Sequence, residues 1–132
     1  IDGSPLSSTA GKARLLLPAG YRGPAFLALD NFRAVLRYNN AVSYALAVNH
    51  LADRLRGAGP IQRAWPRDLR PLGRSQRIEL QQRLTTQGYD IGQADGILGG
   101  RTQEAVRQLQ QRLGLPEDGY ATLDLLERLR GM

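Results

Sequence analysis

One pentapeptide occurs twice in this chain, and it limits the fold more than any other feature. Leu-Gln-Gln-Arg-Leu stands at Leu80–Leu84 and again at Leu109–Leu113, 29 residues later. Each copy is followed by a glycine (Gly88, Gly114), then by an Asp-Gly pair (Asp95-Gly96, Asp118-Gly119). A threonine and a helix-like stretch follow, from Thr102 and from Thr122. Self-similarity of this kind marks one supersecondary unit used more than once. Leu80 and Leu84 make one apolar stripe, Val106, Leu109 and Leu113 a second, and Leu126 and Leu129 a third. Three short helices with inward stripes, joined by Asp-Gly turns, predict a small bundle of modest stability.

The earlier part of the chain is less regular. Residues 1–24 are rich in Gly, Ser, Pro and Ala and read as loop, with one apolar patch at Leu15–Leu17. Ala25–Leu29 reads as a short strand. Asp30 or Asn31 is then expected to cap a short helix containing Phe32, Val35 and Leu36, interrupted at Asn39-Asn40. A clearer helix follows, with Tyr44, Val48, Leu51 and Leu55 at i, i+4, i+7 and i+11, and with Ala45 and Ala52 on the same stripe. Asn40 is its expected cap, Arg54 and Arg56 suit its C-terminal dipole, and Gly57 is its stop. Periodicity alone would put Tyr44 in a core and leave Asn39 as a cap. From Ile61 to Gly73 there is no period, and Pro66 and Pro71 forbid a continuous helix. Residues 61–75 therefore read as a basic linker in which Trp65 anchors on a neighbouring surface.

Composition removes whole classes of chemistry. The 132 residues include no cysteine and one histidine. Disulfides, thiolate zinc sites, iron–sulfur clusters, cysteine nucleophiles and multi-histidine metal sites are excluded, and no cofactor or metal is expected. His50 reads as a structural or surface residue. Ala25–Leu29, five residues, is as long as any uninterrupted apolar run, far below the roughly 20 that span a bilayer. Beginning at Ile1, with no charged-then-apolar leader, the sequence reads as a piece of something longer. The net charge of +6 divides as +4 over residues 1–60, +3 over 61–75 and −1 over 76–132. A nucleic-acid-binding module concentrates positive charge on its folded element. Here the most regular segment is slightly negative, so no nucleic-acid partner is expected.

Ile78–Leu129 resembles a peptidoglycan-binding repeat domain, a three-helix cell-wall module. The residues that carry the likeness are LQQRLTTQGYDIGQADGILGGRTQEAVRQLQ, followed by GLPEDGYATLDLLERL. Leu109 stands where the family usually has an aromatic. Read physically, Asp95-Gly96 is a turn whose glycine permits positive φ. Gly99 and Gly100 lead into a helix with free N–H groups, and Thr102 supplies a local hydroxyl bond at its start. Asp95, Gly96 and Thr102 are expected mainly to shape that turn. Ligand contacts are expected around them, from Tyr89, Gln93, Ile97 and Tyr120.

Residues 13–57 resemble the closing part of the catalytic domain of B-type lytic murein transglycosylases. The matching text is ARLLLPAGYRGPAFLALDNFRAVLRYNNAVSYALAVNHLADRL. The likeness carries Tyr38, Asn39 and Tyr44 onto positions that line the family's glycan cleft; Ala41 stands where the family often has serine. An asparagine can donate to and accept from an N-acetyl group, and tyrosines stack on sugar rings. Such enzymes cleave the MurNAc–GlcNAc bond with one glutamate, which protonates the leaving oxygen and then helps the MurNAc C6 hydroxyl close an anhydro ring. An internal hydroxyl replaces the water, so the usual second carboxylate is not required. Residues 1–78 contain no glutamate, and Glu79, Glu104, Glu117 and Glu127 all lie in the second half.

The resemblance thus implies a mainly α chain: a partial lysozyme-like catalytic-domain segment at 1–60, the linker at 61–75, and a small three-helix peptidoglycan-binding bundle at 76–132. It implies glycan strands and stem peptides as partners, a monomer, and a periplasmic site with outer-membrane association through an N-terminal anchor. No catalytic residue is expected within this chain. A non-catalytic cell-wall-binding protein is the alternative reading.

Overall fold

The structure is a computed structural model that describes residues 11–132. The expected loop at residues 1–10 lies outside the described residues. Among the described residues, five helices and one two-stranded sheet divide into two compact units that part between Trp65 and Pro66.

In the first unit, β1 (Arg14–Leu16) pairs antiparallel with β2 (Phe26–Ala28), with Leu15 opposite Leu27. The apolar patch expected as loop is thus a strand. Three residues are too few to show alternation in a sequence, and β1 exists because β2 offers it a ladder. The connection turns through Gly20, at φ 66°, and Gly23 lies so near Ala19 that a Cβ there would stand 2.7 Å from the Ala19 Cβ. Helices α1 (Asp30–Tyr38) and α2 (Val42–Leu55) follow. Their caps correct the expectation. Leu29 and Ala41 are the N-cap residues, and neither makes a side-chain bond. Asp30 instead lies inside the first turn, where its carboxylate meets the positive end of the helix dipole. Segment 61–65 stays with this unit: the Trp65 ring lies 6.2 Å from that of Phe26, and Arg63 Nε donates to the Arg22 carbonyl at 3.1 Å.

The apolar stripe of α2 is not a core face. Only Ala45 is fully buried, whereas Leu51 is 60% exposed and Leu55 81% exposed. A periodic stripe demands a partner surface, and the first unit offers one only to Ala45 and its neighbours. No helix among the described residues is long and apolar enough to cross a membrane.

The second unit is the expected bundle: α3 (Arg74–Thr86), α4 (Gly100–Arg112) and α5 (Leu123–Arg130). Leu80, Leu84, Val106, Leu109, Leu125, Leu126 and Leu129 form its core, with Leu72 joining from the approach to α3. Leu113, expected on the second stripe, is half-buried at the helix end. Glycines stop the helices. After α3, the Gly88 N–H reaches the Thr85 carbonyl and the Tyr89 N–H reaches that of Leu84. After α4, Gly114 and Leu115 repeat the pattern on Gln111 and Gln110, and after α2, Gly57 and Ala58 repeat it on Arg54 and Asp53. This paired closure needs a left-handed residue, and φ is 90°, 66° and 92° at the three glycines.

One ionic cluster ties the first bundle helix to the last. Glu79 accepts from Arg130 at 2.9 and 2.7 Å, a two-point contact, and from Arg83 on its own helix at 2.9 Å. These bonds, those from Arg130 first, pull its carboxyl from 4.5 down to about 2. A carboxylate with a lowered folded-state pKa adds stability above its unfolded value, and that stability is lost as pH falls toward the folded value. Acidification from pH 5 to 2 should therefore lower the Tm of the wild-type chain more than that of Glu79→Gln. The two melting curves should converge near pH 2, and 1 M salt should shrink their difference at neutral pH.

Candidate functional site

The geometry of the second unit is set by two buried carboxamides, one from each copy of the pentapeptide. Gln81 on α3 is 1% exposed and Gln110 on α4 is 6% exposed. The Gln81 Oε1 accepts the Gly96 N–H at 2.7 Å, and its Nε2 donates to the Asp95 carboxylate at 3.2 Å and to the Ile97 carbonyl at 3.1 Å. The Ile97 N–H closes the ring on Asp95 at 2.8 Å. Gln110 does the same one repeat later. It accepts from Gly119 at 2.9 Å and donates to Asp118 at 2.7 Å and to the Tyr120 carbonyl at 3.4 Å, while the Tyr120 N–H binds Asp118 at 2.8 Å. Each turn therefore has its N–H, its C=O and its carboxylate satisfied by one amide.

Gly96 cannot be another residue without strain. Its φ is +81°, and a Cβ would come within 3.2 Å of Arg74 and Ile78. The Asp95 carboxyl is held below the usual carboxylate range, first by the Ile97 N–H and then by the Gln81 amide. Thr102 departs from the expected local cap. It is 2% exposed, and its hydroxyl lies 3.4 Å from Gln81 Nε2, while Gly99 occupies the N-cap of α4. The threonine that does cap a helix is Thr122, whose hydroxyl accepts the Leu125 N–H at 3.2 Å.

Two recesses open beside the first turn. The narrower, about 230 Å³, is lined by Gln93, Asp95, Ile97 and Thr102 together with Gln81, Ile91 and the start of α4. The wider, about 520 Å³, is lined by Tyr89, Asp90, Arg101, Glu104 and Gln108 between the end of α3 and the first turns of α4. Of the residues expected in the module, Gln93, Asp95, Ile97 and Thr102 thus share one recess and Tyr89 lies in the other. Gly96 is buried and, like Tyr120, lines neither. Arg101 belongs to both recesses and was not among the expected residues. No periodicity marks it, since it sits on the exposed side of α4.

In the first unit, Tyr38 ends α1 and Tyr44 lies in the first turn of α2, with the extended Asn39 in between. The two rings stack with centroids 6.4 Å apart and planes inclined by 30°. Tyr38 is 85% exposed and Tyr44 39% exposed, and Asn39 is exposed as well. The three side chains form one solvent-facing aromatic and amide patch. Among the described residues, no group of three or more His, Cys, Asp and Glu could hold a metal ion, and His50 is half-buried on α2.

Two family models match the chain. Residues 73–129 match that of the peptidoglycan binding domain, and residues 1–53 match that of the transglycosylase SLT domain. Among solved structures, the chain is similar to SltB3 from Pseudomonas aeruginosa, a lytic transglycosylase, in two crystal complexes. With NAG-anhNAM-pentapeptide bound there, the TM-score is 0.91 at 56% identity; with NAG-NAM-pentapeptide it is 0.92 at 57%. Each comparison covers 98% of this chain and 35% of SltB3, so the chain spans about a third of that protein. A spore cortex-lytic enzyme of Bacillus cereus is 48% identical over 44 residues, 33% of this chain and 17% of that enzyme.

The buried carboxamides predict a sharp mutational contrast. Gln81→Ala strands the Gly96 N–H and the Ile97 carbonyl without partners, which should cost about 2–3 kcal/mol and lower the Tm of the bundle by roughly 10 °C or more. Gln82→Ala, one residue away and exposed, should change it by less than about 0.5 kcal/mol. Thermal unfolding of both variants, followed by circular dichroism, decides the matter.

Proposed function

Beginning from a transglycosylase SLT segment joined to a peptidoglycan binding domain, we propose that this chain is the peptidoglycan-binding C-terminal portion of a lytic murein transglycosylase. The parent enzyme would cleave the MurNAc–GlcNAc bond and leave 1,6-anhydro-MurNAc ends. The observation that carries this reading is the 56% identity to SltB3 over 98% of the chain, which takes in both units. The parent acts in the periplasm, associated with the outer membrane through an N-terminal anchor, and its partners are glycan strands and stem peptides. The chain itself is a monomer.

Within this reading, residues 1–60 supply the closing part of the catalytic domain and 61–75 connect it to the wall-binding domain at 76–132. The Tyr38–Asn39–Tyr44 patch supplies part of the glycan cleft: its stacked rings are exposed, as sugar-binding aromatics must be, and its amide can serve an N-acetyl group. Catalysis needs a carboxylic acid beside the scissile oxygen. Residues 1–78 contain no glutamate, so the acid comes from polypeptide beyond this sequence and the chain alone is inactive. The bundle's contribution is effective concentration, since a tethered weak binder keeps the reacting domain near an insoluble substrate. The chain's likeness over 44 residues to a spore cortex-lytic enzyme fits a part in cell-wall processing.

Sedimentation of the chain with purified insoluble sacculi tests the reading, with released anhydro-muropeptides measured in the same tubes. Retention on the sacculi without release is the expected result. Release would place a catalytic acid within these residues, and failure to sediment would remove wall binding from the second unit. In the parent enzyme, Tyr38→Ala should lower turnover of sacculi about tenfold or more, on the scale of a lost stacking contact and its hydrogen bond, while the Tm stays unchanged.

A further inference from the structure

The wider recess beside α4 has a charge pattern that selects among the parts of peptidoglycan. Three charged side chains line it: Arg101, shared with the narrower recess, and Asp90 and Glu104. Their occupations differ. Glu104 is engaged, accepting from Arg107 at 2.9 Å and from Gln108 at 3.4 Å. Asp90 uses one oxygen to hold the Gly92 N–H at 3.3 Å. Arg101 makes no hydrogen bond or ion pair among the described residues, whereas Arg83, Arg107, Arg128 and Arg130 of the same unit all pair with carboxylates. A guanidinium without a partner, at the rim of two recesses, is a two-point receptor for a carboxylate. The carboxylates of Asp90 and Glu104 keep lone pairs free for an ammonium. Neutral sugar hydroxyls need neither sign of charge; a peptide bearing a free carboxylate and an amine needs both.

Resting on the reading of the bundle as a wall-binding domain, we propose that Arg101 binds a stem-peptide carboxylate and that Asp90 and Glu104 receive an ammonium of the same peptide. The bundle then recognises the peptide and not the sugar backbone. At about 520 Å³ the recess lies within the range of small-ligand sites, roughly 300–1,000 Å³, so it suits a few residues of peptide.

The test titrates the full chain by calorimetry with three probes: a sugar-free stem pentapeptide carrying a diamino acid, the same peptide with its carboxylates amidated, and a peptide-free glycan oligomer. Sacculi sedimentation runs in parallel. The wild type should bind the free-acid peptide about tenfold or more tightly than the amidated one, and Arg101→Gln should lose that preference. Arg101→Lys should recover part of it, with point charge restored but the planar fork absent. Asp90→Asn with Glu104→Gln should weaken only peptides that carry the amine. Retention of Arg101→Gln on sacculi at the wild-type level, or wild-type binding of glycan equal to that of peptide, would overturn this inference and leave wall binding standing. A wild type that ignores sacculi altogether would overturn both.

Discussion

The second unit depends on the full satisfaction of two buried primary amides. A glutamine in a core is costly unless its oxygen and its NH₂ are both engaged. Here each carboxamide meets one turn N–H, one turn carbonyl and one aspartate. The exchange is favourable because the turns have the complementary problem: backbone groups pointing inward with no strand or helix to receive them. Glycine at positive φ aims the N–H at the amide, and aspartate fixes the following residue from the other side. A domain this small cannot gain much from a larger apolar core. It holds its loops by saturating them, and the first of those loops leads into α4 and borders both recesses.

This explains what the repeated pentapeptide means. Leu80 and Leu84, like Leu109, are core positions, and the glutamine after the first leucine of each copy is the clamp. The helices, their stripes and their glycine stops were legible in the sequence, because periodicity and left-handed closure are local signals. The role of Gln81 was not, since a glutamine in an amphipathic pattern looks like solvated surface. Its burial depends on Gly96, fifteen positions further on, whereas Gln110 meets Gly119 after only nine. The unequal spacing hides the equivalence of the two clamps. Thr102 misleads for the same reason: it stands near a helix start, where threonines usually cap, but its hydroxyl is turned toward Gln81.

The first unit shows the opposite limit. Its helix α2 has a regular apolar stripe, yet Leu51 and Leu55 face solvent. Periodicity reports that a face prefers an apolar neighbour, not where that neighbour resides. The chain spans 35% of SltB3, which has 56% identical residues over the shared part, so a stripe evolved against further polypeptide is a consistent physical account. The aromatic patch between α1 and α2 is exposed in the same way. Tyr38 and Tyr44 stack on one another across the turn that carries Asn39, and their faces stay open to solvent.

The distribution of charge separates the tasks of the two units. The bundle is nearly neutral overall, and three of its acids, Glu79, Glu104 and Asp124, are spent on arginines of its own helices. Such exposed pairs add little stability each, but they remove charge from the surface and leave a weak background field. Against that background an unpaired arginine acts locally, within the screening length of about 10 Å at 0.1 M salt. Two open recesses with one such cation cannot bind tightly, because little of a ligand's surface is enclosed and few polar contacts are desolvated. Under the proposed wall-binding role, on an insoluble mesh, that weakness is useful. The mesh presents the same epitope at high local density, so rebinding follows each release, and an attached catalytic domain stays close to its substrate while still moving across it.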